Sequence, residues 1–260
     1  MADPRQREGR ASGVTYGATK VFARLIVPLV AKLRTVGLEH VPPTGPVLLA
    51  MNHIHWMDIP LASLRVPRRT HYMAKIELFG KPVLGGFIRE LGAFPVRRGE
   101  GDREAIRTAE RLLARNGVVV IFPEGHRSDN GALIQAHPGA AYLALRTGVP
   151  VVPVAISGTR QVFKGLHYGP WRPEVIIRYG HPVTFGSGGR VAKENVARAT
   201  DDIMYRIAAL LPPAQRGPYG SAPQIIAESA EAKPHAEVEP VDARADVPGT
   251  PEATPSAQRD

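Results

Sequence analysis

Two short segments carry most of the chemistry this sequence can offer. One is Asn52-His53-Ile54-His55-Trp56-Met57-Asp58, and the other is Phe122-Pro123-Glu124-Gly125-His126-Arg127-Ser128. The first sets an imidazole and a carboxylate five positions apart. On a continuous helix that separation is about 140° around the axis, at roughly 100° per residue. The side chains would then face apart. They meet only if His53 occupies a loop and Asp58 opens the helix that follows. A carboxylate on one ring nitrogen fixes the tautomer and stabilises the imidazolium, which leaves the other nitrogen as a base. Such a base helps to remove a proton from a hydroxyl, an effect on the order of 10²–10⁴-fold. Read alone, the pair fits an ordinary helix cap beside a surface histidine at least as well.

The second segment supplies a carboxylate, Glu124, on a turn through Gly125, and a guanidinium, Arg127. Another cationic pair, Arg97-Arg98, follows a different short apolar run. Guanidinium forks suit bidentate phosphate binding. Two such clusters on loops at one edge of a sheet could clamp a single phosphate. Each taken alone reads as a solvated face.

The elements that must position these groups are apolar runs. Residues 47–51 and 118–122 read as buried strands, and each leads directly into one of the two segments. Loops after the strands of a parallel sheet are where such folds place their sites. Further strands are predicted at 70–74, 94–96, 149–156 and 175–179. Helices are predicted from about residue 59, over 78–91 with breaks at Pro82, Gly85 and Gly86, and over 102–115, 137–146 and 193–211. The alternation predicts an α/β fold with a mostly parallel central sheet flanked by helices. Residues 14–35 have helical periodicity, with Ala18, Phe22, Leu25, Ile26, Leu29 and Leu33 on one face. Lys20, Arg24, Lys32 and Arg34 punctuate the remainder, and Pro28 should kink the helix. A basic amphipathic helix of this kind fits a membrane interface, and it equally fits packing on a core.

Composition bounds the possibilities. The 260 residues are ample for one sizeable domain. The chain has no cysteine, which excludes disulfides, a thiolate nucleophile and a zinc site built on sulfur. The formal charge is +9, unevenly spread. Residues 221–260 hold three basic and eight acidic side chains, a net −5, so the remainder carries +14. A body that basic meets anions: phosphorylated substrates, anionic lipid surfaces or nucleic acid. No aromatic-interleaved basic groove speaks for nucleic acid. No secretory signal is visible, and no run reaches the roughly 20 apolar residues a membrane-spanning helix needs. The expected organisation is a disordered 1–13, one domain over 14–212, and a disordered acidic tail rich in Ala and Pro over 213–260.

Four blocks in order, taken together, resemble the glycerolipid acyltransferases, of the 1-acylglycerol-3-phosphate acyltransferase type. They are Asn52-His53 with Asp58, then Gly92-Ala93-Phe94-Pro95-Val96-Arg97-Arg98, then the segment 122–128, then Val152-Pro153-Val154-Ala155-Ile156. The resemblance covers about residues 14–212 and implies specific roles. His53 would take the proton of the acceptor hydroxyl, and Asp58 would orient the ring. The hydroxyl would attack the thioester of acyl-CoA or acyl carrier protein directly, with no covalent acyl-enzyme and no cofactor or metal. Arg98 and Arg127, with Arg97 beside them, would hold the acceptor phosphate, while Glu124 and Gly125 shape the glycerol site. Lysophosphatidic acid would become phosphatidic acid. The enzyme would sit on the cytoplasmic face of a membrane, peripheral or monotopic, through residues 14–35.

Two positions depart from the family pattern. His55 stands where the family generally has Ser, and His126 where it generally has Thr. They leave the acceptor open to another lysolipid or an ornithine-type lipid. A rival chemistry is a metal-dependent hydrolase with His53, His55, Asp58 and His126 as zinc ligands. Spacing argues against it. The metallo-β-lactamase pattern needs Asp two residues after the second His, and here Trp56 and Met57 precede Asp58.

Overall fold

The computed structural model describes residues 13–97, 102–162, 172–186 and 191–221. The expected disordered ends therefore lie largely outside the described residues, and so does Arg98. Seven strands form one sheet: β1 (Lys32–Val36), β2 (Val47–Met51), β3 (Thr70–Lys75), β4 (Ala93–Val96), β5 (Val118–Ile121), β6 (Val151–Ser157) and β7 (Glu174–Tyr179). Their spatial order is β1-β7-β6-β2-β5-β3-β4. Every neighbouring pair is parallel except β6 and β7. The α/β fold expected from the alternation of elements is the fold observed.

The three central strands are buried along their whole length. They read as continuous apolar runs because helices cover both faces of the sheet. Leu48 and Ala50 of β2 point into one core, and Val47, Leu49 and Met51 into the other. The first core is closed by α5 (Arg103–Ala114), α6 (Gly139–Thr147) and α7 (Lys193–Leu210). The second is closed by α1 (Gly13–Val30), α2 (Asp58–Arg65) and the short α3 (Ile76–Phe79). Helix α5 shows why these segments form helices where they do. Asp102 caps it by accepting the N–H groups of Glu104 and Ala105, each at 3.1 Å. Ala105, Ala109 and Leu113 then repeat every fourth residue on the buried side. Pro153 sits inside β6 in register with Ala50. Its carbonyl accepts the N–H of Gly180, where β7 has just ended. A Cβ at Gly180 would lie 2.8 Å from the Pro153 ring. The proline is thus tolerated at the point where that flank of the ladder is interrupted.

Three expectations about elements need correction. The helix expected over 14–35 ends at Val30, and 32–36 forms β1 at the sheet edge, paired in parallel with β7. Leu33 happened to match the helical period, but Lys-Leu-Arg-Thr-Val alternates, and the strand is exposed at every second position. The helix expected over 78–91 is two helices, α3 and α4 (Pro82–Glu90). Pro82 does separate them, but Gly85 and Gly86 remain inside α4. A Cβ on Gly85 would approach the Phe79 carbonyl oxygen to 2.5 Å, so the glycine permits close packing of the two helices rather than a break. Finally, the ordered chain continues past residue 212. Leu133 donates its N–H to the carbonyl of Gln215 at 2.8 Å, and the buried Tyr219 accepts the N–H of Ala136 through its hydroxyl. Pro212-Pro213 ends a helix and turns the chain back onto the domain.

Candidate active site

The site is built where three neighbouring strands, β6, β2 and β5, end together. The loop after β2 carries residues 52–57, the loop after β5 carries residues 122–131, and a 3-10 turn after β6 spans Thr159–Gln161. Asn52 prolongs the ladder with its side chain. Its amide nitrogen donates to the Ile156 carbonyl at 3.0 Å, and its oxygen accepts the Ile156 N–H at 2.8 Å. A side-chain amide thereby replaces a peptide group and locks the loop to β6. The next residue is fixed to the opposite neighbour. The His53 N–H donates to Glu124 Oε1 at 2.7 Å, and the His53 carbonyl accepts the Ser128 N–H at 2.8 Å.

With its backbone held on both sides, His53 directs its ring into a buried place. The residue is 4% exposed, and its ring stacks on Phe122 at 4.2 Å between centroids. Nδ1 lies 2.9 Å from Asp58 Oδ2. Nε2 has no protein partner among the described residues. Asp58 opens α2 and is fully buried. The same oxygen, Oδ2, also accepts the N–H groups of Ile54 and His55, each at 2.7 Å. The carboxylate closes the turn that folds the imidazole back onto it. Its other oxygen, Oδ1, accepts the hydroxyl of Thr159 at 2.6 Å. Both oxygens of this candidate metal ligand are therefore engaged by protein donors. Among the described residues no group of three or more His, Asp or Glu side chains lies close enough to hold a metal ion.

Thr159 is a member of the site that sequence reasoning missed. It lies 101 positions from Asp58, and no local spacing links the two. Its hydroxyl fixes the carboxylate that fixes the imidazole. We expect Thr159→Val to lower kcat by about tenfold, the usual effect of removing a hydrogen bond to a buried charge. The KM of both substrates should stay within about twofold, and Thr159→Ser should restore kcat. Steady-state kinetics over both substrates would check this. An equal loss with Ser would show that the methyl packing, not the hydroxyl, matters.

Glu124 is fully buried and braces the loops. Besides the His53 N–H on Oε1, it accepts the Ile134 N–H on Oε2 at 3.0 Å. Burial pushes its pKa up to about 7, even though both N–H groups and His126 pull the other way. Gly125 has φ +70°, and a Cβ there would lie 2.7 Å from the His137 ring, so this turn admits only glycine without strain. Arg127 follows on the exposed part of the loop. Arg97 is exposed at the end of β4, with its N–H bonded to Asp102 at 2.8 Å. Strand β4 is the sheet edge, separated from β5 by β3. The structure thus brings His53, Asp58, Glu124, Gly125 and Arg127 to adjoining strand ends and leaves Arg97 farther along the sheet.

The two histidines that depart from the family pattern also sit here. His126 is exposed, with Nδ1 at 3.2 Å from the Arg127 carbonyl. His55 is half-buried, and Met57 donates its N–H towards Nδ1 at 3.4 Å. Burial lowers the His55 pKa below the usual histidine range. The Asp58 carboxylate opposes this, and the Arg127 and Arg160 guanidiniums add to it.

The family described as Acyltransferase matches residues 32–157, the stretch that runs from β1 through the end of β6. The chain is 28% identical over 192 residues to the 1-acyl-sn-glycerol-3-phosphate acyltransferase of Bacillus subtilis, covering 72% of this chain and 92% of that protein. It is 36% identical over 141 residues to the lyso-ornithine lipid O-acyltransferase of Pseudomonas aeruginosa, covering 54% and 52% respectively. Among solved structures, the 1-acyl-sn-glycerophosphate acyltransferase of Thermotoga maritima superposes with a TM-score of 0.57 at 25% identity, over 78% of this chain and 80% of that one. The buried imidazole tied to the first residue of a helix thus lies inside residues 32–157, the stretch of this chain that matches the acyltransferase family.

Proposed function

We propose that this chain moves a fatty acyl group from a thioester, acyl-CoA or acyl carrier protein, to the free hydroxyl of lysophosphatidic acid. The products are phosphatidic acid and the free thiol. One observation carries the reading. His53 is held through Nδ1 by Asp58 at 2.9 Å, while Nε2 has no protein partner among the described residues. Nε2 takes the hydroxyl proton as the oxygen attacks the thioester carbonyl carbon. The C–O bond forms and the tetrahedral species collapses with loss of the C–S bond. The departing thiolate then receives the proton from the imidazolium, which Asp58 stabilises. Arg127, with Arg98, is offered to the acceptor phosphate, whereas Arg97 on the edge strand lies farther along the sheet; Glu124 and Gly125 shape the loop beside the base. The test is an acceptor screen with purified protein, labelled acyl-CoA and several lysolipids, with His53→Ala as the control. Transfer to no lysolipid, or equal transfer by His53→Ala, would refute the reading.

A second acceptor has specific support. His55 and His126 flank the base where the family generally carries Ser and Thr, and one relative is a lyso-ornithine lipid O-acyltransferase. The same screen separates the two acceptors.

The substrates are lipids, and α1 is suited to meet them. Val21, Leu25, Ile26 and Leu29 are exposed, with Leu25 and Leu29 at 67% and 68%. No described helix is long and apolar enough to cross a membrane. The exposed apolar face supports a peripheral or monotopic seat with α1 lying in the interface, and the reading places it on the cytoplasmic face. Leu25→Asp with Leu29→Asp should cut the fraction floating with phospholipid vesicles by about half or more, since two apolar contacts become charged. Activity on short-chain, soluble substrates should be unchanged. Undiminished flotation would place the membrane contact elsewhere.

A further inference from the structure

We infer that Arg160, acting with Arg127, forms the main binding site for the phosphate monoester of the acceptor. The inference rests on the reading of the acceptor given above. Arg160 belongs to none of the four family blocks. Its place in the fold singles it out. Strand β2 ends at the catalytic imidazole, and β5 and β6 are its two neighbours in the sheet. Arg127 follows β5 and Arg160 follows β6. Adjacent strands lie about 5 Å apart, so β4, three strands from β2, is roughly 14 Å away. In the acceptor the reacting hydroxyl and the phosphate are carried by neighbouring carbons. A phosphate must then bind close to His53 Nε2, and the arginines nearest in sheet order are Arg127 and Arg160, not Arg97.

Local structure ties Arg160 to the loops that carry the base. Thr159, directly before it, is bonded to Asp58 at 2.6 Å, so the backbone that carries Arg160 is fixed to the catalytic pair. The side chain then crosses the turn at Gly131. A Cβ on that glycine would lie 3.4 Å from Arg160 Nη1 and 3.6 Å from its Cδ. This turn is anchored to the base as well, through the Ser128 N–H on the His53 carbonyl and the Gly131 N–H on Ser128 Oγ.

Charge completes the case. Arg127 and Arg160 are both exposed, and both act on the same neighbour, the His55 ring. No carboxylate among the described residues pairs with either of them. Elsewhere on the surface, Arg146 and Arg206 do have such partners, Glu110 and Asp202, each at 3.1 Å. Two exposed guanidiniums on neighbouring strand ends, paired with no carboxylate among the described residues, are complementary to a dianion.

The experiment uses the full chain, as wild type, Arg160→Gln and Arg160→Lys. Initial rates are measured against lysophosphatidate, against acyl-CoA, and with neutral monoacylglycerol as acceptor. Binding of glycerol 3-phosphate is measured by calorimetry, and folding by circular dichroism. Arg160→Gln should raise the KM for lysophosphatidate and the Kd for glycerol 3-phosphate by about tenfold or more, the loss of a charge-assisted partner. The KM for acyl-CoA and the rate with monoacylglycerol should stay within about twofold, and Arg160→Lys should fall between. An unchanged KM and Kd in folded Arg160→Gln overturns the site, as does absence of glycerol 3-phosphate binding by the wild type. An effect confined to acyl-CoA also overturns it, because the arginine then serves phosphates of the donor. Should Arg160→Gln fail to fold, a wild-type KM and Kd in Arg160→Lys, which retains the charge but loses the fork, overturns the bidentate site. A wild type that binds glycerol 3-phosphate through Arg160 yet acylates no lysophosphatidate refutes the proposed reaction and leaves the phosphate site standing.

Discussion

Replacing His53 with alanine is expected to lower kcat by about 10³-fold or more, within the range of a lost general base and equal to about 4 kcal/mol of barrier. Nδ1 is already committed to Asp58 at 2.9 Å, so Nε2 is the atom available to take the substrate proton. The ring is nearly inaccessible and stacks on Phe122, so its removal leaves a small void. It also removes one of the four donors that Asp58 accepts. A stability loss of about 1–3 kcal/mol should accompany the variant, without unfolding it. The backbone bonds of residue 53 to Glu124 and Ser128 do not require the ring. Rates from labelled acyl-CoA, with circular dichroism as the folding check, would measure both effects. Added imidazole should restore part of the rate. A folded variant with wild-type kcat would mean that another group carries the proton.

Glu124→Gln should be the second most damaging substitution, and by a different route. Each carboxylate oxygen accepts one backbone N–H, from His53 and from Ile134. An amide has a single acceptor oxygen, so its NH₂ must oppose one of these donors. The loss is about 1–3 kcal/mol of stability. If Glu124 acts by holding the His53 backbone, kcat should fall by about 10- to 100-fold with little change in the acceptor KM, because a misplaced base slows chemistry without weakening binding. If it touches the glycerol instead, the acceptor KM should rise. Denaturation across pH gives a second measure. Burial raises the Glu124 pKa from 4.5 to about 7 in the folded protein. The protonated form is therefore favoured by folding. Its contribution is full below pH 4.5 and is lost as pH rises through about 7. The wild type should lose stability across that interval, and Glu124→Gln should flatten the loss. Parallel pH profiles for the two proteins would contradict the raised pKa.

Much of this was legible from residue types and local spacing. The runs 47–51 and 118–122 could be read as central strands because a strand covered on both faces has no polar alternation. An acidic start, the apolar Ile106, Ala109, Leu112 and Leu113 on one side and the stop at Asn116-Gly117 marked α5. His53 and Asp58 could be paired because their separation permits contact only across a loop-to-helix turn. Strand β1 was hidden because an edge strand buries little, and its leucine continued the period of the preceding helix. Thr159 and Arg160 were hidden for another reason. Their partners lie across the fold, and only the adjacency of β6 and β2 brings them together. The bracing by Glu124 was equally silent, since its donors are peptide N–H groups that every residue possesses.

The double attachment of the segment around His53 has an evolutionary consequence. Asn52 is stapled to β6 and His53 to the chain after β5. An insertion or deletion in residues 122–128 would drag the base out of alignment, so these connections cannot vary in length to suit new lipids. Diversification is left to side chains that project from a frozen frame, such as those at 55, 126 and 160. Natural variants of this enzyme should therefore change lipid preference by point replacement and keep the spacing between the strand ends constant.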